Sequence, residues 1–335
     1  MKRYTNVQIP TSEHSFGYDH ALLTMGSCFA ESMGKRLENR KFKVLNNPLG
    51  IAYNPLSLFR LLEIIIGNHK PTILQHEQLG YYFSFDLHSQ WIMQREETFE
   101  KGLQQRREST LRHLRECSHL ILTFGTAHVY QLASDQQLVN NCHKYPGHRF
   151  HREMLKPEAI VEGFQQIRSQ LLAINPNLTI ILTLSPIRHI RDGLSTNSLS
   201  KSILRYAIES CSQEENVIYF PSYEIMLDEL RDYRYYEKDL IHPNEQGESY
   251  IWERFKDTFL EEGSNKLMEE WEKLKREFDH KPLHNWSPSY YTFMEKLIEK
   301  LEKLQKKGIN LEEEIGAVRL RMKIWEKNYG SRQKK

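Results

Sequence analysis

Short apolar runs alternate with segments of helical spacing along the first 260 residues. ALLTM (21–25), HLILTFG (119–125), LTIILTLSP (178–186) and VIYFPSY (217–223) are each bounded by turn residues. Unbroken apolar runs of that length suit strands buried on both faces of a parallel sheet. KVLNN (43–47) predicts one more strand, which runs into the loop NNPLGIAYNP. CFAESMGKRLENR (28–40) sets Phe29, Met33 and Leu37 on one helical face, and NPLSLFRLLEIII (54–66) predicts a second helix. Further helical patterns lie near 97–117, 156–173 and 198–213. The order β-α-β-α predicts an α/β domain with a mostly parallel sheet.

The pattern changes near residue 260, so the expected division is 1–260 for the α/β domain and 261–335 for a charged helical extension. YYTFMEKLIEKLEKLQKKG (290–308) repeats Phe293, Leu297, Leu301 and Leu304 at helical spacing. LEEEIGAVRLRMKIWEKNYG (311–330) predicts another helix, with the turn at 308–310 between them. DHKPLHNWSPSY (279–290) reads as the joining segment. Acidic and basic residues are interleaved throughout, which fits an amphipathic helical hairpin packed on the main domain or on a second subunit. It does not fit a basic arm for nucleic acid.

Composition narrows the class without deciding the function. The chain has 335 residues, 39% hydrophobic and 27% charged, with a formal net charge of +2. A packed core is expected, and the charge gives no reason to expect nucleic acid. Cys28, Cys117, Cys142 and Cys211 are far apart, with no CxxC pair, so neither a zinc site nor a disulfide scaffold is expected. The other histidines, including His14 and His20, offer no ligand spacing, and no metal or cofactor is expected. The N-terminal stretch lacks the apolar core of a signal peptide, and the longest apolar run, LLEIII (61–66), is far short of a membrane span. No membrane association is expected, and the default location is cytoplasmic.

The candidate chemistry lies at two places. Ser27, in MGSCFAESMG (25–34), follows the first strand and precedes the first helix. Sites in doubly wound sheets form at the carboxyl ends of strands, and a helix N-terminus favours developing negative charge there. A serine at that position also serves as an ordinary helix N-cap. Asp239 and His242 form a D-x-x-H before the last helix of the domain, where a carboxylate can hold one imidazole nitrogen while the other faces a serine. Cys28 is the rival nucleophile and reads as a small packed residue.

Gly26-Ser27-Cys28-Phe29-Ala30 matches the naming motif of the GSCFA family, which resembles a branch of the SGNH/GDSL hydrolases. The resemblance covers roughly residues 5–257 and includes NPLGIAYNP, SFDLHS, LTFGTAHVY, NCHK, SPIRH and DLIHPN. It implies a flavodoxin-like three-layer α/β/α fold with a mostly parallel five-stranded sheet. It also implies Ser27 as nucleophile, His242 as base and Asp239 as the acid that orients it. The implied oxyanion hole combines the Ser27 N–H with Gly50, Asn47 being a second candidate near it. The superfamily's third-strand asparagine is absent, and Thr126 stands in Gly125-Thr126-Ala127 instead.

Asp86 and His88 alternate on an extended segment and are candidates to line a substrate cleft. So are Asn47, His143, Arg188 and His189, the last two at the carboxyl end of the fourth strand. Arg188 suits a carboxylate or phosphate, or an internal ion pair. His128 reads as structural. Two functions are therefore expected in competition. One is a serine esterase or deacylase acting on an O-acyl substrate such as an acetylated carbohydrate, by hydrolysis or by acyl transfer. The other is a non-catalytic binding or scaffold protein on the same fold, whose helical tail recruits a protein partner or a second copy.

Overall fold

The computed structural model describes residues 5–9 and 14–329. The chain runs β1 (Ala21–Gly26), α1 (Cys28–Asn39), β2 (Lys43–Asn46), α2 (Pro55–Ile66), β3 (Leu74–Gln75), β4 (Tyr82–Phe83), α3 (Glu96–Glu116) and β5 (Cys117–Phe124). It continues through β6 (His128–Leu132), β7 (Leu138–Val139), β8 (Phe150–Met154), α4 (Pro157–Ile174), β9 (Thr179–Leu184), α5 (Gly193–Cys211) and β10 (Val217–Phe220). The short α6 (Ser222–Glu224), α7 (Glu245–Phe259), α8 (Glu262–Asp279), α9 (Pro288–Gln305) and α10 (Glu312–Tyr329) complete it.

Five strands form a parallel sheet in the order β10-β9-β5-β1-β2. Counting only these strands in chain order, the order is 2-1-3-4-5, the flavodoxin-like winding. Every residue of β9 is buried, as the unbroken run TIILTL requires when helices cover both faces. Alternate residues separate two cores. Leu22, Ile121, Ile181 and Phe220 face α1, α7 and the C-terminal helices. Leu23, Leu120, Leu122, Ile180 and Leu182 face α2, α3, α4 and α5. The result is the three-layer arrangement expected from the sequence.

Local signals explain the helix ends. Pro55 opens α2, Asn54 caps it by accepting from the Ser57 N–H at 2.8 Å, and Gly67 closes it in a left-handed conformation at φ 90°. Outside the main sheet, β3 pairs with β4, and β7-β6-β8 form a small antiparallel sheet beside the carboxyl end of β5. The tail holds a helix that the sequence pattern left unassigned, α8, ahead of the two that it predicts. Met268 and Trp271 of α8 and Met294, Leu297 and Leu301 of α9 are buried in the same core as α1 and α7. The apolar faces of these helices are thus packed against the chain's own sheet layer. No helix among the described residues is long and apolar enough to cross a membrane.

Candidate active site

β1 ends at Gly26, whose φ is +141° and where a side chain would collide with the Thr123 carbonyl of β5. Only glycine lets the chain turn so close to its neighbour strand. Ser27 follows in extended conformation at the N-cap position of α1. Its side chain makes no capping bond. The hydroxyl lies in a residue only 2% exposed and has no hydrogen-bond partner. Capping therefore does not account for this serine, and the first-turn N–H groups of α1 are left open at its side.

The DLIH turn is built around Leu240, a non-glycine residue at φ 59°. That geometry lets one Asp239 oxygen accept from the Ile241 N–H at 2.8 Å and the His242 N–H at 3.1 Å. The other oxygen lies 2.7 Å from His242 Nδ1. The Ile241 N–H first, then the imidazole, hold the carboxyl down to about 2. Asp239 is thus an anion that fixes the imidazole by Nδ1 and leaves Nε2 for another partner. The two side chains are 44% and 46% exposed, so the pair sits on a rim.

Ser27 and His242 line one cavity of about 410 Å³, together with Cys28, Tyr53, Thr126, Arg188 and His189. No hydrogen bond joins the serine to the imidazole. Gly125 lies next to three residues of the cavity lining. A methyl group there would lie 2.9 Å from the Tyr53 carbonyl, 3.3 Å from Ser27 Cβ and 3.4 Å from His189 Nε2. Ser27 and His189 Nε2 therefore face the same small space. Burial first, then the nearby Lys201 ammonium, lower His189 to about 4, which keeps its ring neutral at pH 7. Lys201 is 1% exposed and donates to the Gly125 and Ser185 carbonyls, both at 2.7 Å. Burial lowers it to about 7.

The profile of the GSCFA family matches residues 21–255, and that of the GSCFA domain protein, C-terminal domain, matches residues 271–324. The chain belongs to the GSCFA family. No curated relative matches the sequence. An acetyl xylan esterase (Est2A) from the rumen bacterium Butyrivibrio proteoclasticus is similar in structure at TM-score 0.35 and 12% identity. The match covers 65% of this chain and 57% of that one. A carbohydrate esterase family 3 protein from Talaromyces cellulolyticus is similar at TM-score 0.30 and 11% identity, over 70% of this chain and 94% of that one.

In this GSCFA protein several expected site residues lie elsewhere. Gly50 is not on the cavity. Its N–H closes a turn onto the Asn47 carbonyl at 2.8 Å, and its φ of +89° serves that turn. Asn47 secures the end of β1 by accepting from the Gly26 N–H at 2.9 Å. Asp86 is buried and meets His69 at 3.2 Å, while His88 packs against Gly50. The expectation of an extended segment at SFDLHS fails there, because Phe85 and Asp86 lie in a turn that the Leu87 N–H closes onto the Ser84 carbonyl. His143 is buried and donates from Nε2 to the Ser84 and Leu87 carbonyls at 2.9 and 3.1 Å, so it fixes that turn instead of facing a ligand. A larger cavity, of about 960 Å³, lies against Glu224, Asp228 and Glu229 and contains neither Ser27 nor His242.

Thr126 does reach the cavity, but its N–H donates to the Tyr53 carbonyl at 2.9 Å and its hydroxyl faces Ser200 and His128. The Ser27 N–H makes a long bond of 3.3 Å to the Thr123 carbonyl. The expected oxyanion donors are thus already engaged within the chain. His128, read from sequence as structural, lines the cavity, as do Tyr53, Tyr130, Asn140 and Arg152, which the sequence reading passed over. Tyr53 belongs to NPLGIAYNP, but only the fold brings its carbonyl to the Gly125 N–H at 2.8 Å. Lys201 gave a usable signal, because it sits at helical spacing from the buried Leu204 and Ile208.

Proposed function

We propose that this GSCFA protein is a serine hydrolase of the esterase or deacylase kind that cleaves an O-acyl substrate, such as an acetylated carbohydrate, through an acyl-enzyme. One observation carries the reading. An unpartnered, buried Ser27 hydroxyl at a helix N-terminus shares a cavity with an imidazole that Asp239 holds by its other nitrogen. A serine hydroxyl is a weak nucleophile without such a base.

Ser27 Oγ attacks the acyl carbon, and its proton passes to His242 Nε2 as the C–O bond forms. Asp239 stabilises the imidazolium. The carbonyl oxygen becomes an oxyanion, which the open N–H groups at the start of α1 and the neutral His189 ring stabilise by hydrogen bonding. His189 then takes the part that the absent asparagine plays in the superfamily. Collapse breaks the ester bond, and His242 returns the proton to the departing alcohol oxygen. Water attacks the acyl-enzyme by the same route and releases the acid. A sugar hydroxyl in place of water would give acyl transfer.

The gap between Ser27 and His242 is compatible with this role, since catalytic hydrogen bonds often tighten only when substrate binds. The test is turnover of a panel of aryl acetates and acetylated sugars. Ser27→Ala and His242→Ala should each abolish turnover while leaving the melting curve intact. Unchanged turnover in Ser27→Ala would overturn the proposal. The engaged N–H groups of Gly50 and Thr126 favour a second reading, a binding protein on a hydrolase scaffold. On that reading the folded chain binds a ligand at Arg188 and His189 and turns over no ester in the panel.

A further inference from the structure

The cavity beside Ser27 holds more positive charge than its neighbours neutralise. Three guanidinium groups line it, those of Arg152, Arg188 and Arg191. Arg152 is paired with Asp192 at 2.5 Å. The other two have hydroxyl and carbonyl partners but no ion pair among the described residues. Arg188 is held in place from several sides. Its Nη2 donates to the Tyr236 hydroxyl at 2.9 Å, and its Nη1 lies 3.5 Å from the Tyr233 hydroxyl and the Leu240 carbonyl. The guanidinium carbon sits 4.2 Å from the Tyr236 ring centre and 5.2 Å from that of Tyr233. Arg191 donates to the Tyr130 hydroxyl at 2.9 Å.

A guanidinium stacked on aromatic rings has its fork oriented before a ligand arrives, so little further order is lost when a carboxylate docks. The cavity's remaining charges are few. Asp239 is committed to His242 and Asp192 to Arg152. Burial keeps His189 neutral and also lowers His128. Two cavity arginines without an ion pair, close to two carboxylates that are already paired, suit a single negative charge better than a phosphate dianion.

We propose that the ester accepted here carries a carboxylate, received by Arg188 and Arg191 while its acyl carbon lies at Ser27. The proposal rests on the serine-hydrolase reading and names its substrate class. The alternative role for Arg188 is to brace the turn that carries Asp239 and His242. Bracing would affect every ester equally, whereas carboxylate recognition would not.

The test measures kcat/KM of the full chain on two matched pairs of esters. 4-Carboxyphenyl acetate against its methyl ester places the charge on the alcohol side. Mono-4-nitrophenyl succinate against 4-nitrophenyl acetate places it on the acyl side. Intrinsic reactivity cancels when each anionic-to-neutral ratio is compared between the native chain and a variant. In one pair, Arg188→Gln should lower the ratio roughly 10- to 100-fold, mainly through KM, the loss expected of one charge-assisted contact. Arg191→Gln, at an exposed position, should lower the same ratio without threatening the fold, and added salt should lower it in the native chain. The pair that responds identifies the side of the ester that bears the charge. Ratios unchanged in both pairs, whatever the absolute losses, would overturn the proposal. Fluorophosphonate labelling of Ser27 in the same samples separates the two levels. A labelled serine with unchanged ratios overturns only the carboxylate, while an unlabelled serine and no turnover overturn both.

Discussion

Lys201 Nζ donates to the Gly125 carbonyl at 2.7 Å, and from the same buried position it donates to Ser185 at 2.7 Å. One amine thereby ties the loop after β5 to the loop after β9. The first loop carries Thr126 and places Gly125 beside Ser27, and the second carries Arg188 and His189. Replacing Lys201 by Met removes both donors and leaves two carbonyls buried without partners. Each such group costs about 1–3 kcal/mol, partly offset here because a buried amine is also removed. Lys201→Met should lower the melting temperature and slow reaction at Ser27. A variant that reacts at the native rate would show that the two loops hold their places without the lysine.

Gly125 leaves little spare room beside Ser27 and His189. A methyl group would press on the Tyr53 carbonyl at 2.9 Å and fill the space between Ser27 and His189. Overpacking of this kind costs about 1–3 kcal/mol. Gly125→Ala should therefore retain the fold at a lower melting temperature and lose most reactivity at Ser27. Native reactivity in that variant would mean that the acyl group does not use this space.

Much of this arrangement is readable in the sequence. The apolar runs locate the strands because a parallel sheet covered on both faces leaves its strands no polar side, and TIILTL shows this best. Ser27 and the D-x-x-H are legible because turn and helix-start residues mark strand ends. Gly50, His143 and Asp86 were misplaced for one shared reason. Their polar groups satisfy loop backbone and side chains: Gly50 closes a turn onto nearby Asn47, while His143 and Asp86 meet partners from segments further away along the chain. Tyr53 and Asn140 reach the cavity through the path of long loops, which no local pattern encodes.

Acid should destabilise the fold through its buried imidazoles. Burial lowers His189 and His119 from 6.5 to about 4 in the folded chain. Between those values the unfolded chain binds more protons than the folded one, so stability falls as pH falls from about 6.5 towards 4. Melting temperatures across that range should fall in the native chain and fall less steeply in His189→Gln. A flat profile would mean that these rings are more solvated than their burial implies.

The C-terminal helices should contribute to the stability of the sheet domain. Trp271 of α8 is 1% exposed, and its Nε1 donates to the Asn39 carbonyl at the end of α1 at 2.9 Å. Trp271→Ala should cost about 3–5 kcal/mol, the range for a large buried aromatic. Removing residues 262–335 should likewise lower the melting temperature sharply. A truncated chain that melts like the full one but loses a binding partner would instead assign the tail to recruitment.

The central claim is that Ser27 is an activated nucleophile. Its most direct test is intact-mass and peptide analysis of the full chain after reaction with a fluorophosphonate, beside Ser27→Ala and His242→Ala. The account predicts one adduct, located on Ser27 and absent from both variants. A folded native chain that gains no adduct, or gains it equally in His242→Ala, would contradict it.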